Sequence, residues 1–170
     1  SNNRIQRLLY IMNPNKIKIC EYLLRHHVAA GDKIIIFSDD VCALILYCEA
    51  LSQVYEIPYI FGPTPEKDRR EWLHIFKTSP NMPILGLSKV GDTALDIPEA
   101  NVIIQVSSQF GARRQEAQRL GRILRPKKHN IVSRGGYNAF FYSLVSSDTR
   151  EMYFSTKRQK YLIDKGYTFK

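Results

Sequence analysis

No stretch of this sequence spells the G-x-x-x-x-G-K-[ST] phosphate loop, and no acidic cluster is suited to holding Mg2+, so the chain has no complete nucleoside triphosphate site of its own. No run approaches the roughly 20 apolar residues of a membrane span. No charged-then-apolar leader begins the chain either, so neither a membrane protein nor a secreted one is expected. Internal repeats and low-complexity segments are missing. Cysteine is scarce, and Cys20, Cys42 and Cys48 stand in apolar helical patterns without metal-ligand spacing, as thiols of a reducing compartment do. No glycine-rich turn follows the first β-branched run, which removes support for a nucleotide-sugar or methyl-donor enzyme on a similar sheet. Acidic residues are few, 16 against 25 lysines and arginines, for a net charge of +9. That balance favours an anionic partner, nucleic acid first and an acidic membrane surface second. The first residue is Ser1 rather than Met, so a piece of a longer protein is expected.

What is present is an alternation of helices and short apolar runs. With 170 residues and 44% hydrophobic composition, the chain suits one soluble domain with a real core. A helix is expected over 13–30, with Asn13 and Pro14 as cap and first turn, and Ile17, Cys20, Leu23 and Leu24 recurring at helical period. The stop at Gly31-Asp32 leads to KIIIFS at 33–38, a continuous apolar run typical of a parallel strand covered on both faces. Asp39 or Asp40 then caps a helix to about residue 53. A strand at 57–61, a turn at Gly62-Pro63-Thr64-Pro65, a helix over 66–78 and strands at 84–87 and 102–108 follow. An arginine-rich helix, a polar stretch at 127–136 and a strand at 138–145 come next. Asp148 or Thr149 caps a last helix to about residue 165, ended by Gly166. Strands spaced by helices predict an α/β fold with a mainly parallel sheet and helices on both faces.

Ligands of such sheets bind at the carboxyl ends of the strands. That rule selects three polar loops: residues 38–40, residues 88–96, and Ser107-Ser108 leading into the arginine helix. Ser88, Lys89, Gly91, Asp92 and Thr93 offer hydroxyls, a cation and flexible backbone, which suit a grip on a phosphate backbone without reading bases. An ordinary hydrophilic loop has the same composition. Asp96 ahead of Ile97-Pro98 is either a turn residue or a carboxylate for a sugar hydroxyl or a metal-bound water. On a helical wheel Arg114, Gln115, Gln118, Gly121, Arg122 and Arg125 share one stripe, and Ala117, Leu120, Ile123 and Leu124 lie roughly opposite. No acid on that stripe pairs the guanidinium groups. Their forks match phosphate oxygens, and Gly121 admits a ligand or a second backbone. Taken alone, this helix reads first as a solvated basic face. Beside the missing phosphate loop it reads as half of a phosphoryl-transfer site, with arginine fingers meeting a phosphate cradled elsewhere.

Three segments, in order, resemble motifs of the superfamily 2 helicases. QRLGRILR at 118–125 matches the Q-x-x-G-R-x-x-R motif VI, LGLSKVGDTALDIPEANVIIQ at 85–105 matches motif V, and KIIIFSDD at 33–40 matches motif IV. Longer strings, SKVGDTALDIPEANVIIQVSS, RRQEAQRLGRILRPKK and YNAFFYSLVSSDTREMYFSTKRQKYLIDKGYTFK, are similar to the xeroderma pigmentosum group B family, DNA translocase subunits of the transcription and repair factor TFIIH. The likeness runs from LLYIMNPNKIKIC to the last residue.

The resemblance implies one second RecA-like lobe over 1–170, a three-layer α/β/α unit, with ATP and Mg2+ held mainly by a first lobe across a cleft. It implies that Arg122 and Arg125 meet the γ-phosphate side of ATP, with Gln118 ordering the site. Asp96, Gly91 and Asp92 would serve the nucleotide. Ser88, Lys89, Thr93, Gly62 and Thr64 would touch DNA, and no residue of this chain would ligate a metal. The usual pattern has glycine before Leu-Asp where this chain has Ala94, so a backbone contact to nucleotide is not carried over there. The implied partners are the first lobe of the same protein, double-stranded DNA and other TFIIH subunits, in the nucleus, for promoter opening and nucleotide excision repair, with no membrane partner. A second reading keeps the fold without turnover: a nucleic-acid-binding and subunit-docking module. It would use the basic surface and the helix at 148–166, where Met152, Tyr153, Phe154, Tyr161, Leu162 and Ile163 mix with basic residues.

Overall fold

Helix α1, Pro14–Ala29, forms because Cys20, Leu23, Leu24 and His27 recur on one side at helical spacing, and all four are buried. It stops at Gly31, whose φ of 75° lies in the left-handed region that favours glycine. The Gly31 N–H donates to the Val28 carbonyl and the Asp32 N–H to the His27 carbonyl, both at 3.0 Å, the bond pair of a Schellman ending. The computed structural model describes residues 14–88, 100–107, 139–147, 150–152, 156–157 and 160–161.

Strand β1 is Ile34–Ser38, and Asp40 caps α2, Val41–Ala50, its carboxylate accepting from the Ala43 N–H at 3.2 Å. Helix α2 ends short of residue 53, because a turn takes over in which the Val54 N–H donates to the Leu51 carbonyl at 3.0 Å. Strand β2 is Tyr59–Ile60. Helix α3, Glu66–Thr78, starts after Pro65 with Glu66 and Asp68 in its first turn, where negative charge suits the helix dipole. Strands β3, Ile84–Ser88, β4, Val102–Ser107, and β5, Phe140–Ser143, complete the sheet.

The five strands run parallel in the order β2-β3-β1-β4-β5. Successive side chains of β1 go to opposite faces. Ile34 and Ile36 join Ile84, Val102 and Ile104 beneath Leu24 of α1 and Leu44 of α2. Ile35 and Phe37 join Leu85, Ile103 and Phe141 beneath Phe76 and Trp72 of α3. Both faces are covered, which explains why these strands are unbroken apolar runs. Ser38 pairs with Ser88 on one side and, after a register shift past Phe37, with Ser107 on the other. The carboxyl ends of the three central strands are therefore level.

Beyond β5 the chain departs from expectation. β6, Val145–Ser147, pairs antiparallel with β7, Arg150–Met152, and β8, Thr156–Lys157, pairs with β9, Lys160–Tyr161. Every described position inside the helix expected over 148–166 is thus a strand residue. Asp148 and Thr149 suggest a helix cap, but serine, aspartate and threonine bind local backbone equally well in tight turns. Ser147 pairs directly with Arg150, as the ends of a short hairpin do.

Candidate functional site

Because all five strands are parallel, they deliver their polar ends to a single edge. β1 brings Ser38, Asp39 and Asp40, β2 leads to the turn after Phe61, and β3, β4 and β5 end in Ser88, Ser107 and Ser143. The Ser38 hydroxyl donates to the Asp40 carbonyl at 2.9 Å and accepts from the Asp40 N–H at 3.1 Å, which fixes the turn into α2. After β2, the Thr64 hydroxyl accepts from the Phe61 N–H at 3.0 Å, and the Thr64 N–H donates to the Phe61 carbonyl at 2.9 Å. Arg69 reaches back from α3 to the Gly62 carbonyl at 3.4 Å. Gly62 is exposed, and a Cβ placed there meets nothing within 4 Å. Among the described residues nothing demands a glycine at that position.

Hydrogen bonding sets this edge apart from the opposite one. Ser88 Oγ, Gln105 Nε2 and Arg69 Nε are buried and have no hydrogen-bond partner among the described residues. Each such group costs about 1–3 kcal/mol, and native folds tolerate few of them. All three belong to the carboxyl edge: Ser88 ends β3, Gln105 lies near the end of β4, and Arg69 stands in α3 behind the turn that follows β2.

The amino edge is matched instead. His27 Nδ1 lies 2.7 Å from Asp32 Oδ2, and His27 Nε2 lies 2.8 Å from the Tyr142 hydroxyl. Asn101 Nδ2 donates to Asp32 Oδ1 at 2.7 Å, and the Lys33 N–H donates to Asn101 Oδ1 at 2.9 Å. Lys33 Nζ donates to the Met82 carbonyl at 3.2 Å and stands 5.2 Å from the Phe76 ring centre. Burial holds the Lys33 ammonium below its ordinary pKa. This network ties α1 to β1, β4 and β5. Its one sequence signal is a histidine, His27, on the apolar stripe of α1. Partners 69 and 115 residues apart in the chain leave no local pattern.

Of the residues expected to act, the structure describes Ser88, Gly62 and Thr64, and it brings all three to the carboxyl edge. Thr64 is half-buried, with its hydroxyl used to close a turn, while Gly62 is open. Ser88 is only 1% exposed, because it is the last paired residue of a strand held between β1 and β2. Lys89, Gly91, Asp92, Thr93, Asp96, Gln118, Arg122 and Arg125 lie outside the described residues. The fold fixes where their segments begin: the first leaves β3 at Ser88 and the second leaves β4 at Ser107, level with Ser38 on the same edge. Among the described residues no group of three or more His, Cys, Asp or Glu could hold a metal ion, so no metal ligand is assigned to them. Among those residues, no helix is long and apolar enough to cross a membrane.

A parallel sheet in this order, covered on both faces and polar along its carboxyl edge, is the architecture of the second RecA-like lobe of superfamily 2 helicases. Solved structures share it. The C-terminal part of the Fun30 ATPase domain aligns with a TM-score of 0.61 at 22% identity, over 81% of this chain and 42% of that one. The C-terminal domain of the DEAD-box protein Dbp5 aligns with a TM-score of 0.57 at 18% identity, over 80% of this chain and 72% of that one. Likeness at that identity concerns the fold alone. Over residues 1–170 the sequence matches the ERCC3/RAD25/XPB C-terminal helicase family, and the chain belongs to that family. It is 59% identical, over 97% of its length, to the general transcription and DNA repair factor IIH helicase/translocase subunit XPB of Dictyostelium discoideum. It is 53% identical, over 98% of its length, to the XPB/SSL2 subunit of Saccharomyces cerevisiae. The chain spans 20% and 19% of those relatives, about a fifth of each.

Proposed function

We propose that this chain is the second motor lobe of an ATP-dependent DNA translocase working in the nucleus as part of TFIIH, where it opens DNA at promoters and at lesions. The observation that carries the reading is the carboxyl edge, where the segments bearing motifs V and VI both leave the sheet beside buried polar atoms that lack partners among the described residues. Family membership and the relatives' description as helicase/translocase subunits support it.

In this reading Arg122 and Arg125 face the γ-phosphate from across a cleft, and Gln118 holds them in register. ATP with Mg2+, both held mainly by the first lobe, supplies the phosphoryl group and the cation that offsets its charge. The guanidinium groups stabilise charge that builds on the transferring phosphoryl oxygens. Asp96, Gly91 and Asp92 attend the nucleotide. Ser88, Lys89 and Thr93, together with Gly62 and Thr64, hold the DNA backbone. Cleft closure brings the arginines in, and reopening after hydrolysis moves the lobe along DNA.

The test is reconstitution. The chain alone is expected to be inactive, and mixing it with the first lobe of the same protein should restore ATP hydrolysis stimulated by double-stranded DNA. A complex that forms without turnover would replace this reading with a docking module. DNA binding should also weaken steeply with salt, as displaced counterions require, and salt-insensitive binding would count against the basic loops.

A further inference from the structure

Gly62 occupies a place where the fold does not require a glycine. It is exposed, a Cβ added to it meets nothing within 4 Å, and among the described glycines only Gly31 has a positive φ. Alanine would fit and would stiffen the unfolded chain, so stability favours alanine there. What glycine adds is room for another molecule to reach the backbone.

The turn offers that molecule one backbone donor. Pro63 and Pro65 have no N–H. The Phe61 N–H donates to the Thr64 hydroxyl and the Thr64 N–H to the Phe61 carbonyl, which leaves the Gly62 N–H without an acceptor among the described residues. The carbonyl and the N–H of a trans peptide point opposite ways. Because the Phe61 carbonyl points across the turn to Thr64, the Gly62 N–H of the same peptide points out of it.

The next peptide is held from behind. Arg69 stands near the start of α3, where its N–H donates to the Pro65 carbonyl at 2.9 Å, and its guanidinium donates to the Gly62 carbonyl at 3.4 Å. That is the one hydrogen bond of its side chain among the described residues. Nε is buried without a partner there, and exposed Glu66 and Asp68 form no ion pair with it. A guanidinium that serves only to keep a surface wet stays in water, whereas Arg69 is half-buried and gives a donor to the turn.

We propose that the Gly62 N–H donates to a phosphate oxygen of the DNA backbone and that Arg69 is the positioning residue that fixes the 62–63 peptide behind it. The proposal rests on reading the Gly62–Thr64 turn as a DNA contact. The complete two-lobed protein carrying Arg69→Met provides the test. Its Kd for double-stranded DNA should rise about fivefold or more, as loss of a hydrogen bond to a charged group requires. The DNA concentration that half-saturates ATP turnover should rise by the same factor, while kcat at saturating DNA and KM for ATP stay within about twofold. The slope of log Kd against log salt should keep its parent value. A slope shallower by about 0.9 would make Arg69 itself a phosphate contact and overturn the positioning role. Arg69→Lys keeps a donor on a chain of similar reach and should hold Kd within about twofold of the parent; a loss as large as that of Arg69→Met would overturn the role. Gly62→Ala blocks the approach and should weaken DNA binding about fivefold or more with an unchanged thermal melt. In that background Arg69→Met should add little, and full additivity would overturn the coupling. Weakened binding by Gly62→Ala beside full binding by Arg69→Met overturns the role of Arg69 alone. Full binding by both variants takes the turn out of the DNA contact, and the underlying reading of this turn fails as well.

Discussion

Replacing Gly86 with alanine should loosen the contact between α2 and the sheet. A Cβ at residue 86 would lie 2.8 Å from Cys48 Sγ, 2.9 Å from Tyr59 Cβ and 3.3 Å from Leu44 Cδ1. Comfortable carbon contacts begin at about 3.5 Å. Cys48 and Leu44 are at most 2% exposed, and Tyr59 Cβ is fixed to the backbone of β2. Overpacking of this kind costs about 1–3 kcal/mol, and the stiffer unfolded chain returns roughly 0.4–1 kcal/mol. The net loss centres at about 1.3 kcal/mol within a range of roughly 0–2.6 kcal/mol, or a fall of roughly 3–5 °C in Tm at the centre for a chain of this size. Gly62→Ala is the internal control, since its Cβ meets nothing within 4 Å, and it should stay within about 0.5 kcal/mol of the parent. Urea unfolding followed by circular dichroism and by the fluorescence of Trp72 reads both variants. Equal stability of Gly86→Ala and Gly62→Ala would refute the packing described for α2, β2 and β3.

Other expectations concern groups away from the carboxyl edge. Cys42 is exposed while Cys20 and Cys48 are buried, so a thiol reagent on the native chain should titrate Cys42 rapidly and spare the other two; fast reaction of all three would contradict that burial. Desolvation, with help from Glu49, pushes the Cys48 thiol from 9.0 up to about 12, and desolvation raises Cys20 as well. Above pH 9 the unfolded chain sheds protons that the folded chain keeps, so stability should fall as pH rises from 9 toward 12. Urea midpoints that stay flat across that window in the parent, yet fall in Cys48→Ala, would reverse the sign. His27→Ala removes the link between Asp32 and Tyr142 and should cost about 3–5 kcal/mol, as breaking a buried pair does. A loss under about 1 kcal/mol would show that the network carries little of the fold.

Much of the sheet is legible in the sequence because its signals are local. KIIIFS and VIIQVS are runs rich in β-branched residues, Asp40 is a cap, Gly31 is a stop, and each acts within a few residues. The three polar loops also start from one edge as the parallel-sheet rule requires, and the Ser38–Ser88–Ser107 register makes those starting points level. Strand order is not local, and neither is the His27–Asp32–Asn101–Tyr142 network, whose members meet only after the sheet has formed. The region from 148 onward misleads because residue types that cap helices also favour tight turns, so β7 to β9 stand where a helix is expected. For Ser88 the place at a strand end is legible, while its burial follows from the pairing of β3 between two neighbours, which is not.

The most direct measurement is DNA-stimulated ATP turnover by the complete two-lobed protein carrying Arg122→Ala, taken together with its affinity for double-stranded DNA. An arginine finger is worth roughly 10³ to 10⁵ in turnover, so hydrolysis should fall by about three orders of magnitude or more while DNA affinity is largely kept. Turnover equal to the parent protein would contradict the reading of this edge as half of an ATP site.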